Sequence, residues 1–112
     1  MPRDYSVYLR DILEAVRKIR AYTAGMSLQS FAADSKSLDA VVRNLEVIGE
    51  GAKKIPEDMR ARSAEVDWKK VSGLRDILIH EYFGVDAEIV WDIIENKLRA
   101  LEQGVERILE KP

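Results

Sequence analysis

Four segments of this 112-residue chain repeat their apolar residues at steps of three and four, none alternates at a period of two, and three of the four open on an aspartate able to cap a helix. These observations predict an all-α fold: an up-and-down bundle of three long helices and a shorter fourth, occupying residues 1–112 as one domain. A chain of this length can bury a modest core. Its composition, 46% hydrophobic and 34% charged, fits a helical bundle with a polar exterior.

The first helix is expected from Asp4, with Tyr5, Tyr8, Leu9, Ile12, Val16 and Ile19 on one stripe and Gly25 as its stop. Met26 to Asp34 reads as a connection holding a short helical turn, capped by Ser27 and pinned to the core by Phe31. The second long helix is expected from Ser35 to Lys54, carrying Leu38, Val41, Val42, Leu45, Ile48 and Ala52, and ended by Pro56. Gly49 and Gly51 lie inside it, where each costs about 1 kcal/mol against alanine. Close packing against another helix or a subunit would offset that cost. Arg43 and Asn44 fall together on its polar side.

Pro56 to Asp67 reads as a loop with at most a short helix. Asp67 is placed to cap the shorter motif helix, in which Trp68, Val71, Leu74 and Leu78 step along one face and Ile77 and Ile79 widen it, up to Phe83-Gly84. So wide an apolar face calls for burial on more than one side, and a second subunit is a natural cover. Asp86 then caps a single long last helix with Ile89, Val90, Ile93, Ile94, Leu98, Leu101, Val105, Ile108 and Leu109 on its stripe. Trp91 lies beside that stripe, suited to core packing or to a partner contact.

The absence of cysteine excludes disulfides and cysteine-based metal sites and fits a reducing, cytoplasmic setting. No run approaches the roughly 18 apolar residues of a membrane span, and no apolar segment follows Met1-Pro2-Arg3-Asp4, so neither membrane nor signal peptide is expected. Zinc spacings, P-loops, GxGxxG and Ser/His/Asp sets do not occur, and no metal or cofactor is expected. The net charge of −2 opposes nucleic-acid binding, but its distribution does not. Lys53 to Arg75 holds seven bases against four acids, so +3 leads into the motif helix while the remainder carries −5. If RNA lies across this surface, Arg43, Lys53, Lys54, Arg60, Arg62, Lys69 and Lys70 are the candidate contacts to its phosphates, which position rather than specify. A solvated, salt-bridged loop accounts for the same charges.

The chemistry concentrates in Arg75-Asp76-Ile77-Leu78-Ile79-His80-Glu81-Tyr82. His80 is the single histidine, and an unperturbed imidazole titrates at about pH 6.5. Arg75 and Tyr82 complete an R-x4-H-x-Y pattern: a guanidinium to hold phosphate, an imidazole to move its proton, and a phenol hydroxyl. On a helix Asp76 and His80 share a face, so Asp76 is placed to orient the imidazole. Taken alone, this short pattern is better explained by an ordinary surface ion pair with a capping histidine, and Tyr82 by a packed aromatic at a helix end.

The stretch from Trp68 to Asp86, with Ala40 to Pro56 upstream and Val90-Trp91-Asp92 downstream, resembles the HepT branch of the HEPN families over nearly the whole chain. The resemblance implies a HEPN-like homodimer whose motif helices meet at the subunit interface. It implies a metal-independent endoribonuclease using Arg75 and His80 of both subunits, with Asp76 in support, on RNA and on tRNA in particular. It also implies the toxin half of a type VII-like toxin–antitoxin pair, silenced when an MntA-type minimal nucleotidyltransferase antitoxin transfers AMP to Tyr82. Two other classes stay open: a non-catalytic helical module that binds the nucleotidyltransferase, and a nucleotide-binding regulatory domain.

Overall fold

The structure, a computed structural model, describes residues 4–74, 76, 78 and 86–110. Arg75, His80 and Tyr82, with Ile77, Ile79 and the expected helix stop at Phe83-Gly84, lie outside the described residues. Within them the fold is all-α, with seven helices, one 3₁₀ turn and no strand.

Helix α1 spans Ser6–Thr23. Asp4 opens it as expected: its carboxylate accepts from the Ser6 backbone N–H at 3.0 Å and from the Ser6 hydroxyl at 2.6 Å. Leu9, Ile12, Leu13, Val16 and Ile19 are buried along one stripe, while Arg10, Glu14, Arg17 and Lys18 stay outside. Gly25 follows the helix at φ +77°, the left-handed conformation that glycine adopts without a Cβ penalty. Helix α2, Leu28–Ala32, is the expected short turn. Ser27 and Ser30 cap one another reciprocally, and Phe31 is fully buried.

Helix α3 runs from Ser35 to Lys53, and Asp34 accepts from the backbone N–H groups of Lys36 and Ser37. Its buried residues Val41, Leu45, Ile48 and Ala52 meet the stripe of α1 in the most extensive helix–helix contact among the described residues. Gly51 shows why no side chain stands there. A Cβ would lie 3.0 Å from Ile12 Cγ1 and 3.4 Å from the Tyr8 carbonyl oxygen, so the glycine answers to a neighbouring helix of its own chain. Asn44 departs from the polar placement expected of it. It is buried, and its amide donates to the Ala40 carbonyl at 2.9 Å, which satisfies the group within its own helix.

Pro56 precedes α4, Glu57–Arg60, and a 3₁₀ turn covers Ala61–Ser63. Helix α5, Trp68–Ser72, is capped by Asp67, whose carboxylate accepts from the Lys70 N–H. Here the expected continuous motif helix is interrupted. Gly73 shares its N–H between the carbonyls of Lys69 and Lys70, and beyond it Leu74, Asp76 and Leu78 are helical. Trp68 and Leu78 are buried and Val71 and Leu74 half-buried, so this face is directed into the core.

The single last helix expected from Asp86 is two helices. Helix α6 spans Ala87–Asn96, opened by Asp86 accepting from the Glu88 N–H, and α7 spans Leu98–Glu110. Lys97 breaks them at φ −117°, ψ −31°. The two halves pack on different partners, α6 on α2 and α7 on α1 and the 3₁₀ turn, and the break lets each seat separately. Trp91 stacks at a tilt on Phe31, ring centroids 5.2 Å apart, which ties α6 to α2. Ile89, placed by its spacing on the buried stripe, is instead 61% exposed.

Candidate functional site

The site is built where the end of α3 meets α5 and the helical residues after it. Trp68 anchors this corner. Its indole N–H donates to the carbonyls of both Arg60 and Ser63, each at 3.1 Å. Ser63 is fully buried and donates its hydroxyl hydrogen to the Gly104 carbonyl of α7 at 2.6 Å. Gly104 permits that approach, since a Cβ there would lie 2.5 Å from Val66 Cγ2. The loop leading to the motif is therefore held from below by α7 and from the side by the indole ring. None of Ser63, Gly104 and Trp68 belongs to the candidate site set. Glycine in the middle of a helical pattern was the one available signal of the contact.

The basic residues expected to meet RNA divide into distinct settings. Arg60 is turned inward, half-buried, with Nη2 donating to the Ala52 carbonyl at the end of α3 at 2.6 Å. It serves as a cap for α3 and ties α4 to that helix. Arg43 and Lys54 line an open groove of about 300 Å³ between α1 and α3, with Tyr8 and Val47. Asp11, Glu46 and Glu50 line the same groove, so its acids outnumber its cations. Lys69 and Lys70 are exposed on α5, and the Lys70 ammonium lies 3.9 Å from the Asp67 carboxylate. Arg62 is exposed in the 3₁₀ turn.

Lys53, in the last turn of α3, reaches across to the motif segment. Its ammonium lies 3.5 Å from Asp76 Oδ1. Asp76 thus has a cationic partner 23 positions upstream that no local spacing reveals. The structure brings Lys53 to Asp76, sets Arg43 and Lys54 on one groove, and turns Arg60 back onto the Ala52 carbonyl. Arg75, His80 and Tyr82 lie outside the described residues.

Two further ion pairs fix the frame. Arg20 of α1 bonds to Glu102 of α7, and Arg107 of α7 bonds to Glu65 of the loop before α5. The Glu65 carboxyl is held below its usual range, chiefly by its own backbone N–H and also by Arg107. Among the described residues no three His, Cys, Asp or Glu side chains gather where they could hold a metal ion. Among the same residues no helix is long and apolar enough to cross a membrane.

The chain matches the family model described as "Ribonuclease HepT-like" over residues 12–108. It is 43% identical over 111 residues to a protein of Methanocaldococcus jannaschii named as an inferred RNase, covering 98% of this chain and 92% of that protein. It is 37% identical over 108 residues to a "Probable ribonuclease HepT" of Thermococcus cleftensis, covering 96% and 98%. An inferred RNase of Caldanaerobacter subterraneus subsp. tengcongensis is 40% identical over 104 residues, covering 93% of each chain. No solved structure matches.

Proposed function

The chain belongs to the Ribonuclease HepT-like family and is an endoribonuclease of that family; we propose that it acts as a homodimer, cutting RNA with the His80 of one subunit as general base and the His80 of the other as general acid. The observation that carries this reading is the family match across residues 12–108, which spans the whole R-x4-H-x-Y stretch from Arg75 to Tyr82.

Cleavage by this route needs a base and an acid in one reaction. One imidazole takes the proton of a ribose 2′-hydroxyl, and the oxygen so freed attacks the adjacent phosphorus. As the P–O5′ bond breaks, a second imidazole gives its proton to the departing 5′-oxygen. The products are a 2′,3′-cyclic phosphate and a 5′-hydroxyl. A chain with a single histidine supplies one of these groups, and two chains supply both. Arg75 holds the scissile phosphate and offsets the charge that grows on it. Asp76, four residues before His80, orients the imidazole. No step in this scheme calls on a metal ion.

Single-stranded RNA, such as the loops of tRNA, exposes the 2′-hydroxyls that the reaction needs. Lys54, Arg43, Arg62, Lys69 and Lys70 are the phosphate contacts of this proposal; Lys53, paired with Asp76, is not one of them. Arg60, engaged with the Ala52 carbonyl, is left out of it. In the cell the protein is the toxin of a type VII-like pair, held silent when a nucleotidyltransferase antitoxin transfers AMP to Tyr82. That adduct sets bulk and a phosphate charge beside Arg75 and His80, which blocks the cleft and repels RNA.

The test is cleavage of total tRNA in EDTA by wild type, His80→Ala and Arg75→Ala, with the mass of each preparation checked for AMP on Tyr82. Cutting by unmodified wild type that falls by about 10²–10⁴ in His80→Ala, the usual worth of acid–base help, is the expected result. Unmodified, dimeric wild type that cuts nothing would overturn the reading.

A further inference from the structure

We propose that Lys53 is a positioning residue, an ionic clasp from the end of α3 that holds Asp76 and through it sets the rotation of the motif turn. This deepens the ribonuclease reading and rests on it.

Both ends of the clasp have a defined place. Lys53 stands between Ala52, which is fully buried and accepts from Arg60 at its carbonyl, and Lys54, whose N–H returns to the Gly51 carbonyl at 3.0 Å. The backbone from which Lys53 extends therefore belongs to a closely packed turn of α3, where Gly51 abuts Ile12. Asp76 is helical, and its side chain is 59% exposed against 36% for Lys53, so the pair spans the surface where α3 packs on α5. Asp76 directly follows Arg75 in the sequence and precedes His80 by four, so whatever holds its carboxylate acts one peptide bond from the arginine of the motif. The ammonium faces Oδ1, and a carboxylate has a second oxygen to offer an imidazole.

The charge argument points the same way. A bare carboxylate beside the arginine that grips phosphate would weaken that grip by repulsion. Lys53 offsets part of that charge at its source. A merely phosphate-binding lysine would instead act on RNA wherever the backbone passes, independent of what stands at position 76.

A double-mutant cycle separates the two roles: wild type, Lys53→Met, Asp76→Asn and the double variant, assayed on tRNA at low salt, with Lys53→Arg as the conservative control. The clasp predicts that Lys53→Met lowers kcat by about two- to fivefold, the range of a single exposed ion pair. It predicts that the loss disappears in the Asp76→Asn background, that Lys53→Arg restores most of the rate, and that the coupling fades in about 1 M salt. An equal loss in both backgrounds, carried by KM and accompanied by a shallower salt dependence, overturns the clasp and makes Lys53 a phosphate contact. Wild type that cuts no RNA is a different failure: it overturns the ribonuclease reading and leaves no reaction for Lys53 to position.

Discussion

Ser63, Gly104, Val66 and Trp68 form one joint under the motif segment, and the residue that decides it is the glycine. In the interior of α7 glycine is about 1 kcal/mol worse than alanine by propensity, so Gly104→Ala should stabilise the protein if nothing touches that position. The structure predicts the opposite sign. An added Cβ would meet Val66 Cγ2 at 2.5 Å and Ser63 Cβ at 3.3 Å, and a β-branched valine has little freedom to withdraw. Overpacking of this kind costs about 1–3 kcal/mol, so the net expectation is a destabilisation of about 1 kcal/mol, read as a lower denaturant midpoint. A raised midpoint would show that α7 and the loop do not approach so closely. Gly51 was readable in the sequence as a close-packing glycine because it sits with Gly49 inside a strong apolar stripe. Gly104 has the same role without that emphasis, since its contacts come from residues about 40 positions away and no periodicity reports them.

The helix starts were the most legible elements. Asp4, Ser27, Asp67 and Asp86 each accept from a first-turn N–H, because a short polar side chain next to an apolar stripe has few other uses. Asp34 does the same for α3, one residue before the expected start at Ser35. The Asp34 carboxyl is pulled below its ordinary value, first by the Ser37 hydroxyl and then by the Ser37 N–H. Asp4 is lowered in the same way by the hydroxyl and N–H of Ser6. A depressed folded-state value means stability that is present above the unfolded carboxylate range, near pH 4, and lost as pH falls through the folded value. Thermal melts of wild type should therefore drop more steeply below about pH 4 than those of Asp4→Asn/Asp34→Asn, and equal slopes would deny the caps their charge. The division at Lys97 was hidden for a related reason. Ile94, Leu98 and Leu101 step by four and three straight through it, so the stripe reads as continuous although its halves serve different neighbours.

At the scale of the whole molecule, the apolar periodicities were enough to specify an all-α bundle, because a helix of this kind must bury one face and the four faces have only one another to meet. The site was legible as chemistry and less so as geometry. Its residue types stand within eight consecutive positions, while Asp76's cationic partner comes from the far end of α3 and Arg60, at the end of α4, faces inward. One histidine per chain then makes a prediction about assembly that no single copy can satisfy. If each cut needs an acid and a base from two copies, wild type mixed with an equal amount of His80→Ala and re-equilibrated should assemble only about a quarter of its dimers with both imidazoles. Cleavage should fall to about a quarter of that of wild type at the same total protein, following the square of the wild-type fraction. A site complete within one chain would leave about half and follow the fraction linearly. Native mass spectrometry of the mixture supplies the control, since it resolves the mixed dimer: subunits that never exchange would also leave half, and only exchanged dimers distinguish a shared pair of histidines from two independent ones.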